Sequence, residues 1–112
     1  MSTVSGISSF SAGSYTATRT SISDDYTVLS TDDIIECDTS SNAIIISLPA
    51  ASSVDSGKIY NIKDEAGNAD DNNITVTPDG SYTIDGETSQ IIASSYTCMT
   101  IYSNGSNGWF IE

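Results

Sequence analysis

Apolar and polar residues alternate along the chain from Asp25 onward, and turn-forming residues interrupt the alternation every few positions. Successive side chains of a β-strand point to opposite faces, so a period of two predicts short strands with one apolar face each. Ile44, Ile46 and Leu48, for example, share one face of a predicted strand that Pro49 ends. The pattern predicts nine strands, at residues 26–29, 34–38, 43–48, 58–63, 73–77, 82–85, 89–93, 97–103 and 109–112.

Clusters of Asp, Asn, Gly and Ser separate the predicted strands. These residues favour turns because their side chains bond to the nearby backbone, or because glycine accepts a positive φ. The pair Asp85-Gly86 indicates a two-residue hairpin turn of the primed type. Residues 50–56 could form a helical turn, but their place after a proline favours a connecting loop. We therefore predict an all-β sandwich or barrel of about nine short, mainly antiparallel strands with one solvated face.

Residues 1–24 lack this pattern. They are rich in Ser and Thr and carry isolated apolar residues without a sustained period. Such a composition buries little surface by itself, so it predicts an extended arm that orders against something else, for attachment or subunit exchange. A frayed terminus is the alternative. The sequence of 112 residues thus divides into an arm, 1–24, and one β-module, 25–112. The candidate attachment residues in the arm are Val4, Ile7, Phe10, Tyr15 and Arg19.

The net charge is −12, from 15 acidic and three basic residues. This balance repels phosphate and anionic headgroups, so we expect neither nucleic acid nor a membrane as a partner. The charge either keeps the protein soluble or complements a basic surface or cations. The N-terminal sequence does not resemble a signal peptide, so we expect folding in a reducing cytoplasm. Cys37 and Cys98 are then expected as free buried thiols, although their strands could also bring them together as a disulfide.

Enzymatic chemistry has little support in the sequence. The chain contains no histidine, the usual base for a nucleophile, and no phosphate-binding or nucleophile-elbow motif. Neighbouring carboxylates such as Asp32 and Asp33 leave a glycosidase formally open, but most of them fall in predicted turns. We therefore expect a non-enzymatic protein without catalytic residues or a cofactor.

Two further groups of residues are candidates for binding. The loop from residue 64 to residue 72 gathers hard oxygen donors of the kind that calcium prefers, although turn formation explains the same residues without a metal. The candidate ligands are Asp64, Glu65, Asn68, Asp70 and Asp71. Tyr96 and Trp109 lie near strand ends and are candidates for an interface, with a core role as the alternative for Trp109.

The order of the motifs resembles a recurring β-module of tailed-bacteriophage virion proteins. The resemblance covers about residues 25–112 and rests on the segments DYTVLSTDDIIECDTSSNAIIISLPAAS, GKIYNIKDEAGNADDNNITVTPDG, YTIDGE and SNGSNGW. It implies a β-structured domain that assembles as a homotrimer and has no catalytic residues of its own. It supplies no functional position that can be transferred residue by residue, because the matching glycines and prolines are architectural.

Such modules occur in tail fibres and in proteins on the capsid exterior. A short chain with an N-terminal arm fits a capsid decoration or head-fibre protein, bound to the major capsid protein or another virion protein. The expected location is then the virion, assembled in the host cytoplasm. The alternatives are a tail-fibre or receptor-binding segment that recognises a host surface glycan, and a non-viral surface or adhesion module.

Overall fold

Strands form at all nine predicted positions, with ends that differ by at most two residues from the prediction, and a tenth strand precedes them. The structure is a computed structural model that describes residues 15–112. The strands in chain order are β1 Arg19–Ile22, β2 Tyr26–Thr27, β3 Ile34–Cys37, β4 Ile44–Ser47, β5 Ile59–Asp64, β6 Ile74–Thr77, β7 Thr83–Ile84, β8 Gln90–Ile92, β9 Cys98–Ser103 and β10 Gly108–Ile111. A 3-10 turn, Ala51–Ser53, follows β4. Within the described residues, no helix has the length and apolar character needed to span a membrane.

The strands form two sheets between which the chain crosses repeatedly. One sheet has six strands in the order β1-β3-β5-β9-β10-β7, and the other has four in the order β2-β4-β6-β8. From β1 to β9 each strand lies in the opposite sheet to the strand before it. As a result β1, β3 and β5 run parallel to one another, as do β2, β4 and β6. This first part is a coil of three turns, each of which adds one strand to each sheet.

The pairing direction corrects the sequence prediction. Five of the eight strand pairs are parallel and three are antiparallel, so the prediction of mainly antiparallel strands is wrong. Alternation shows that a strand has one buried face, but it does not show the direction of its neighbour. Because the chain crosses to the other sheet after most strands, spatial neighbours are two strands apart in sequence and usually run the same way.

The turn at Asp85-Gly86 forms as predicted, with φ of 50° and 81°. Both residues have the positive φ of a primed turn, and Ile84 pairs with Glu87 across it as an isolated antiparallel bridge. The pairing goes no further, because β7 lies beside β10 in one sheet and β8 lies beside β6 in the other. The turn thus redirects the chain between the sheets.

The apolar faces of the two sheets form one core. Tyr60 and Ile62 of β5 are buried while Ile59 is exposed, which is the predicted alternation. The rings of Tyr60 and Trp109 pack with their centroids 5.7 Å apart. Each large side chain buried in this way contributes about 1.5–3 kcal/mol through removal of apolar surface from water. Other fully buried residues are Ile35, Ile44, Ile46, Ile74, Val76, Ile84 and Ile101.

The β-domain begins before Asp25. Strand β1 lies inside the predicted arm and pairs with β3 in parallel, with Arg19 opposite Ile34 and Ile22 opposite Cys37. Ile22 also packs against the core. The predicted boundary at residue 25 therefore does not separate arm from body in the structure. Val4, Ile7 and Phe10 lie outside the described residues.

Candidate functional site

The segment from Tyr15 to Ile22 is held against the body by three acidic side chains, Asp32, Asp33 and Glu36, which we call the carboxylate clamp. Asp33 accepts hydrogen bonds from the Tyr15 hydroxyl (2.7 Å) and the Thr18 backbone N–H (2.8 Å) through Oδ2. Its Oδ1 accepts a bond of 3.0 Å from Lys58. One carboxylate thus ties the N-terminal segment to the start of β5.

Asp32 and Glu36 complete the clamp along β1. The nearly buried carboxylate of Asp32 accepts bonds from the hydroxyls of Thr20 and Tyr26, both 2.7 Å. It also accepts a 2.8 Å bond from the Leu29 backbone N–H. Glu36 accepts from the Ser21 hydroxyl at 2.7 Å and forms an ion pair with Arg19. A buried charge is tolerated when several donors satisfy it, and each of the three carboxylates has at least two.

Two carboxylates of the clamp, Asp33 and Glu36, have lowered pKa values. The Thr18 backbone N–H and the Tyr15 hydroxyl, assisted by Lys58, lower the pKa of Asp33 to about 2. The bonds from Arg19 and Ser21 lower the pKa of Glu36. Burial, together with the bond to Asp32, raises the pKa of Tyr26 to about 12. Sequence reasoning recognised Asp32 and Asp33 as turn residues but missed this role.

A second acidic residue, Asp64, organises the loop after β5. Its carboxylate is fully buried and accepts hydrogen bonds from the Thr39 hydroxyl (2.7 Å) and from backbone N–H groups of Gly67, Ala69 and Tyr96, each at 3.0 Å. Burial by itself raises the pKa of Asp64, but these bonds outweigh that effect and lower it. Asp64 is therefore an internal hydrogen-bond acceptor that joins three loops.

The calcium hypothesis fits this arrangement poorly. Both carboxylate oxygens of Asp64, the first candidate ligand, accept hydrogen bonds from internal donors. The side chains of Glu65, Asp70 and Asp71 are exposed. The backbone carbonyl of Asn68 accepts from the N–H groups of residues 71 and 72, which is turn bonding. Across residues 15–112, no group of three or more acidic, Cys or His side chains is arranged to hold a metal. The described geometry explains these residues by turn formation, and calcium remains a sequence hypothesis.

Tyr96 is an exposed aromatic residue with an unusual backbone. It is 60% exposed, and its φ of 62° lies in the left-handed region, which tyrosine seldom adopts. Asp64 accepts from its N–H, and Lys63 donates to its carbonyl oxygen. The ring lies on the backbone of Gly67, where a Cβ would fall 2.4 Å from the ring Cζ. The hydroxyl end of the ring thus lies against one loop, while much of the residue is exposed.

Trp109, the other interface candidate, is placed in the core. It is 0% exposed and packs against Tyr60, so it does not reach the surface of the described chain. Its indole N–H finds no hydrogen-bond partner within residues 15–112. The remaining attachment candidates, Tyr15 and Arg19, lie at the clamp with largely exposed side chains.

The cysteines are both free, and they differ in exposure. Cys37 is buried at the end of β3, and Cys98 is exposed at the start of β9, which corrects the expectation of two buried thiols. Strand β5 lies between them, with Asp64 opposite Cys37 and Lys63 opposite Cys98. Burial and the nearby carboxylates of Asp64 and Glu65 raise the pKa of Cys37 to about 12. An open groove of about 310 Å³ borders this end of β3.

The outer face of the four-stranded sheet carries uncharged side chains on β4, β6 and β8, with the exposed carboxylate of Asp25 at its β2 edge, where it accepts a 2.8 Å bond from the Ile45 N–H. Ile45, Thr75 and Ile91 form a row across β4, β6 and β8, and the two isoleucines are 46% and 55% exposed. The next row is Thr27, Ser47 and Thr77. Sequence alternation places Ile45 and Ser47 on the face opposite Ile44 and Ile46, but the register that aligns the rows came from the structure. A face of this kind stands out in a chain with a net charge of −12.

Comparison with known proteins adds no relative: neither a scan against protein-family models nor a search of curated proteins finds a match to this chain.

Proposed function

We propose that this chain is a non-enzymatic structural protein of a bacteriophage particle, displayed on the capsid exterior and attached through its N-terminal residues. The observation that carries the proposal is the carboxylate clamp. It fixes Tyr15 to Ile22 along the six-stranded sheet, so Tyr15, the first described residue, has a defined place on the body. A tether that must hold an exposed module needs a firm connection of this type. The resemblance to phage modules supplies the setting.

The acidic body is consistent with this role. Most of the 15 acidic residues belong to turns on the outside of the two-sheet coil, where they are solvated, whereas β1 carries Arg19. Like-charged bodies repel one another at a distance, which favours spacing of copies on a particle surface over aggregation in solution. We therefore expect the near-neutral N-terminal residues, and not the acidic body, to bind the capsid.

The structure also sharpens the attachment experiment. Removal of residues 1–24 would delete β1 and damage the sheet, so the informative truncation removes residues 1–14. Purified capsids that lack this protein should recover the full chain in stoichiometric amounts on sedimentation. Residues 15–112 should not be recovered, while circular dichroism shows that their strand content is unchanged. Undiminished capsid binding by the truncated chain, or recovery with tails instead, would contradict the proposal.

We further propose that the protein assembles as a homotrimer. The outer face of β4, β6 and β8, with Ile45 and Ile91, supports contact between copies, because like-charged chains can meet there with Asp25 only at the edge of the contact. Light scattering should give a trimer mass at micromolar concentration. Ile91→Asp should shift the mass toward the monomer, whereas Ser81→Asp, at an exposed turn, should leave it unchanged. A monomeric wild-type protein at that concentration would contradict the trimer.

A second candidate function is recognition of a host surface glycan, as in a receptor-binding segment. The specific observation in its favour is Tyr96, whose exposed ring lies against Gly67 and whose backbone is bonded to Asp64 and Lys63. Binding of the isolated protein to host cells or host polysaccharide would support this function. Catalytic turnover of any glycan would contradict both proposed functions, since each describes a non-enzymatic protein.

A further inference from the structure

We infer that Tyr96 is the stacking platform of a binding site for a neutral carbohydrate. The inference rests on the second of the two proposed functions and is independent of capsid attachment, which depends on the N-terminal residues.

The backbone of Tyr96 is strained. A φ of 62° is unfavourable for tyrosine, and glycine or asparagine would occupy that position more easily. Strained residues persist where their surroundings enforce them, and they concentrate at functional sites. Here the enforcement is explicit, because the Tyr96 N–H bonds to buried Asp64 and its carbonyl oxygen bonds to Lys63. Hydrogen bonds from the body therefore maintain an unfavourable backbone conformation at Tyr96.

The ring of Tyr96 has a neighbour on one side. Its hydroxyl end lies against Gly67, at a distance that leaves no room for a side chain there. The residue is 60% exposed, so a ligand can reach the remaining ring surface. The contact with Gly67 limits the positions of the ring, and such preorganisation reduces the entropic cost of binding.

The residues beside Tyr96 in its own loop indicate the class of ligand. The residues next to the ring along its own loop, Ser94, Ser95 and Thr97, are exposed and hydrophilic. A protein partner would need a contact of about 800 Å² per side with an apolar centre, which a single ring among hydroxyl groups does not provide. A sugar suits this surface, because its C–H face packs on the electron-rich ring face while its hydroxyl groups meet polar neighbours.

Local charge selects among sugars. The loop that carries Gly67 also carries Glu65, Asp70 and Asp71, all exposed. The Lys63 ammonium group is engaged with the Tyr96 carbonyl oxygen. An anionic sugar would therefore meet like charge, so the ligand is expected to be neutral.

Saturation-transfer NMR on the full chain tests the inference, with glucose, galactose and N-acetylglucosamine as neutral probes and glucuronate as the anionic probe. We expect transfer to at least one neutral sugar and weaker transfer to glucuronate. Tyr96→Asn removes the ring and suits the left-handed backbone, so it should fold with a urea midpoint near that of wild type. Its affinity for the sugar should fall at least about fivefold, as expected for loss of one stacked ring. Tyr96→Phe should retain binding.

The control is Ile59→Thr, which removes exposed apolar surface from the far end of β5 and should leave sugar binding unchanged. Absence of transfer to every neutral probe would overturn the inference, as would undiminished binding by Tyr96→Asn or stronger binding of glucuronate. Capsid recovery is measured separately on the same variants. If Tyr96→Asn no longer binds the sugar but is still recovered with capsids, sugar binding and capsid attachment are distinct functions. If the wild-type protein is recovered with capsids but binds no sugar, the inference about Tyr96 is wrong and the attachment proposal stands.

Discussion

The hydroxyl of Thr39 donates a 2.7 Å hydrogen bond to Oδ1 of Asp64, and both residues are fully buried. This bond joins the loop after β3 to the end of β5. The same hydroxyl oxygen accepts from the Asn68 backbone N–H at 3.1 Å, so Thr39 is both donor and acceptor in the network. Because Asp64 also holds the Tyr96 N–H, a buried pair in the body determines the position of an exposed side chain.

The first prediction concerns removal of the Asp64 charge. Asp64→Asn replaces one acceptor oxygen by an NH₂ group, which then faces backbone donors that it cannot satisfy. We expect the free energy of unfolding to fall by about 2–4 kcal/mol, since buried donors lose their partner. Urea denaturation followed by circular dichroism gives this value. Asp70→Asn, an exposed change in the same loop, should stay within about 0.5 kcal/mol of wild type. Equal effects of the two substitutions would show that the network contributes nothing specific.

The second prediction concerns acid. The clamp lowers the pKa of Asp33 from its ordinary value of 3.8 to about 2, so the unfolded chain takes up the proton first as pH falls. The stabilisation by ionised Asp33 is therefore complete above about pH 4 and is lost between about pH 4 and pH 2. The lowered pKa values of Asp64 and Glu36 act in the same direction.

Asp33→Asn should be less stable than wild type at pH 7 and should lose less stability between pH 4 and pH 2. Tyr15→Phe removes one of the donors to Asp33 and should give an intermediate profile. Urea midpoints measured at half-unit pH intervals provide the comparison. An acid profile for Asp33→Asn that parallels wild type would mean that Asp33 is not a source of the dependence.

The strands themselves were largely predictable from the sequence. Ile44, Ile46 and Leu48 alternate with outward residues, and this local pattern is sufficient to place a strand and orient its faces. Strand β1 escaped prediction because its sequence, RTSI, has a single strongly apolar residue. Its stability comes from Asp32 and Glu36, which are 12 and 15 residues away from their partners Thr20 and Ser21. Such distant pairing leaves no local signal.

The candidate site was predictable only in part. Tyr96 could be chosen as an interface residue because it is an aromatic residue beside turn residues, but its positive φ and its contact with Gly67 depend on three loops meeting. Trp109 has the same local features and is nevertheless buried in the core. The difference arises from register: Trp109 pairs with Ser103 and Ile84 inside the six-stranded sheet, and no local pattern shows that pairing.

The third prediction concerns the two thiols. Cys98 precedes Met99 and Ile101, which face inward, so period-two alternation turns Cys98 outward. Cys37 is buried, and its raised pKa makes it less reactive than an exposed thiol. A thiol reagent such as Ellman's should label one cysteine per native chain and two in urea. Cys98→Ser should label none in the native state and one in urea. Rapid labelling of both residues in the native protein would contradict this assignment.

The fourth prediction compares two glycines with positive φ. Gly67 and Gly80 have φ of 82° and 53°, so alanine at either position costs about 1 kcal/mol through the backbone alone. A Cβ at position 80 meets nothing within 4 Å, whereas one at position 67 collides with the far end of the Tyr96 ring. That ring can rotate away, so Gly67→Ala should cost little more stability than Gly80→Ala but should displace the ring. Nuclear Overhauser contacts between the Tyr96 ring and residue 67 should disappear, and sugar binding should weaken with them, while Gly80→Ala retains both. Sugar binding that survives in Gly67→Ala with the ring displaced would mean that the ring's position on Gly67 is irrelevant to the ligand.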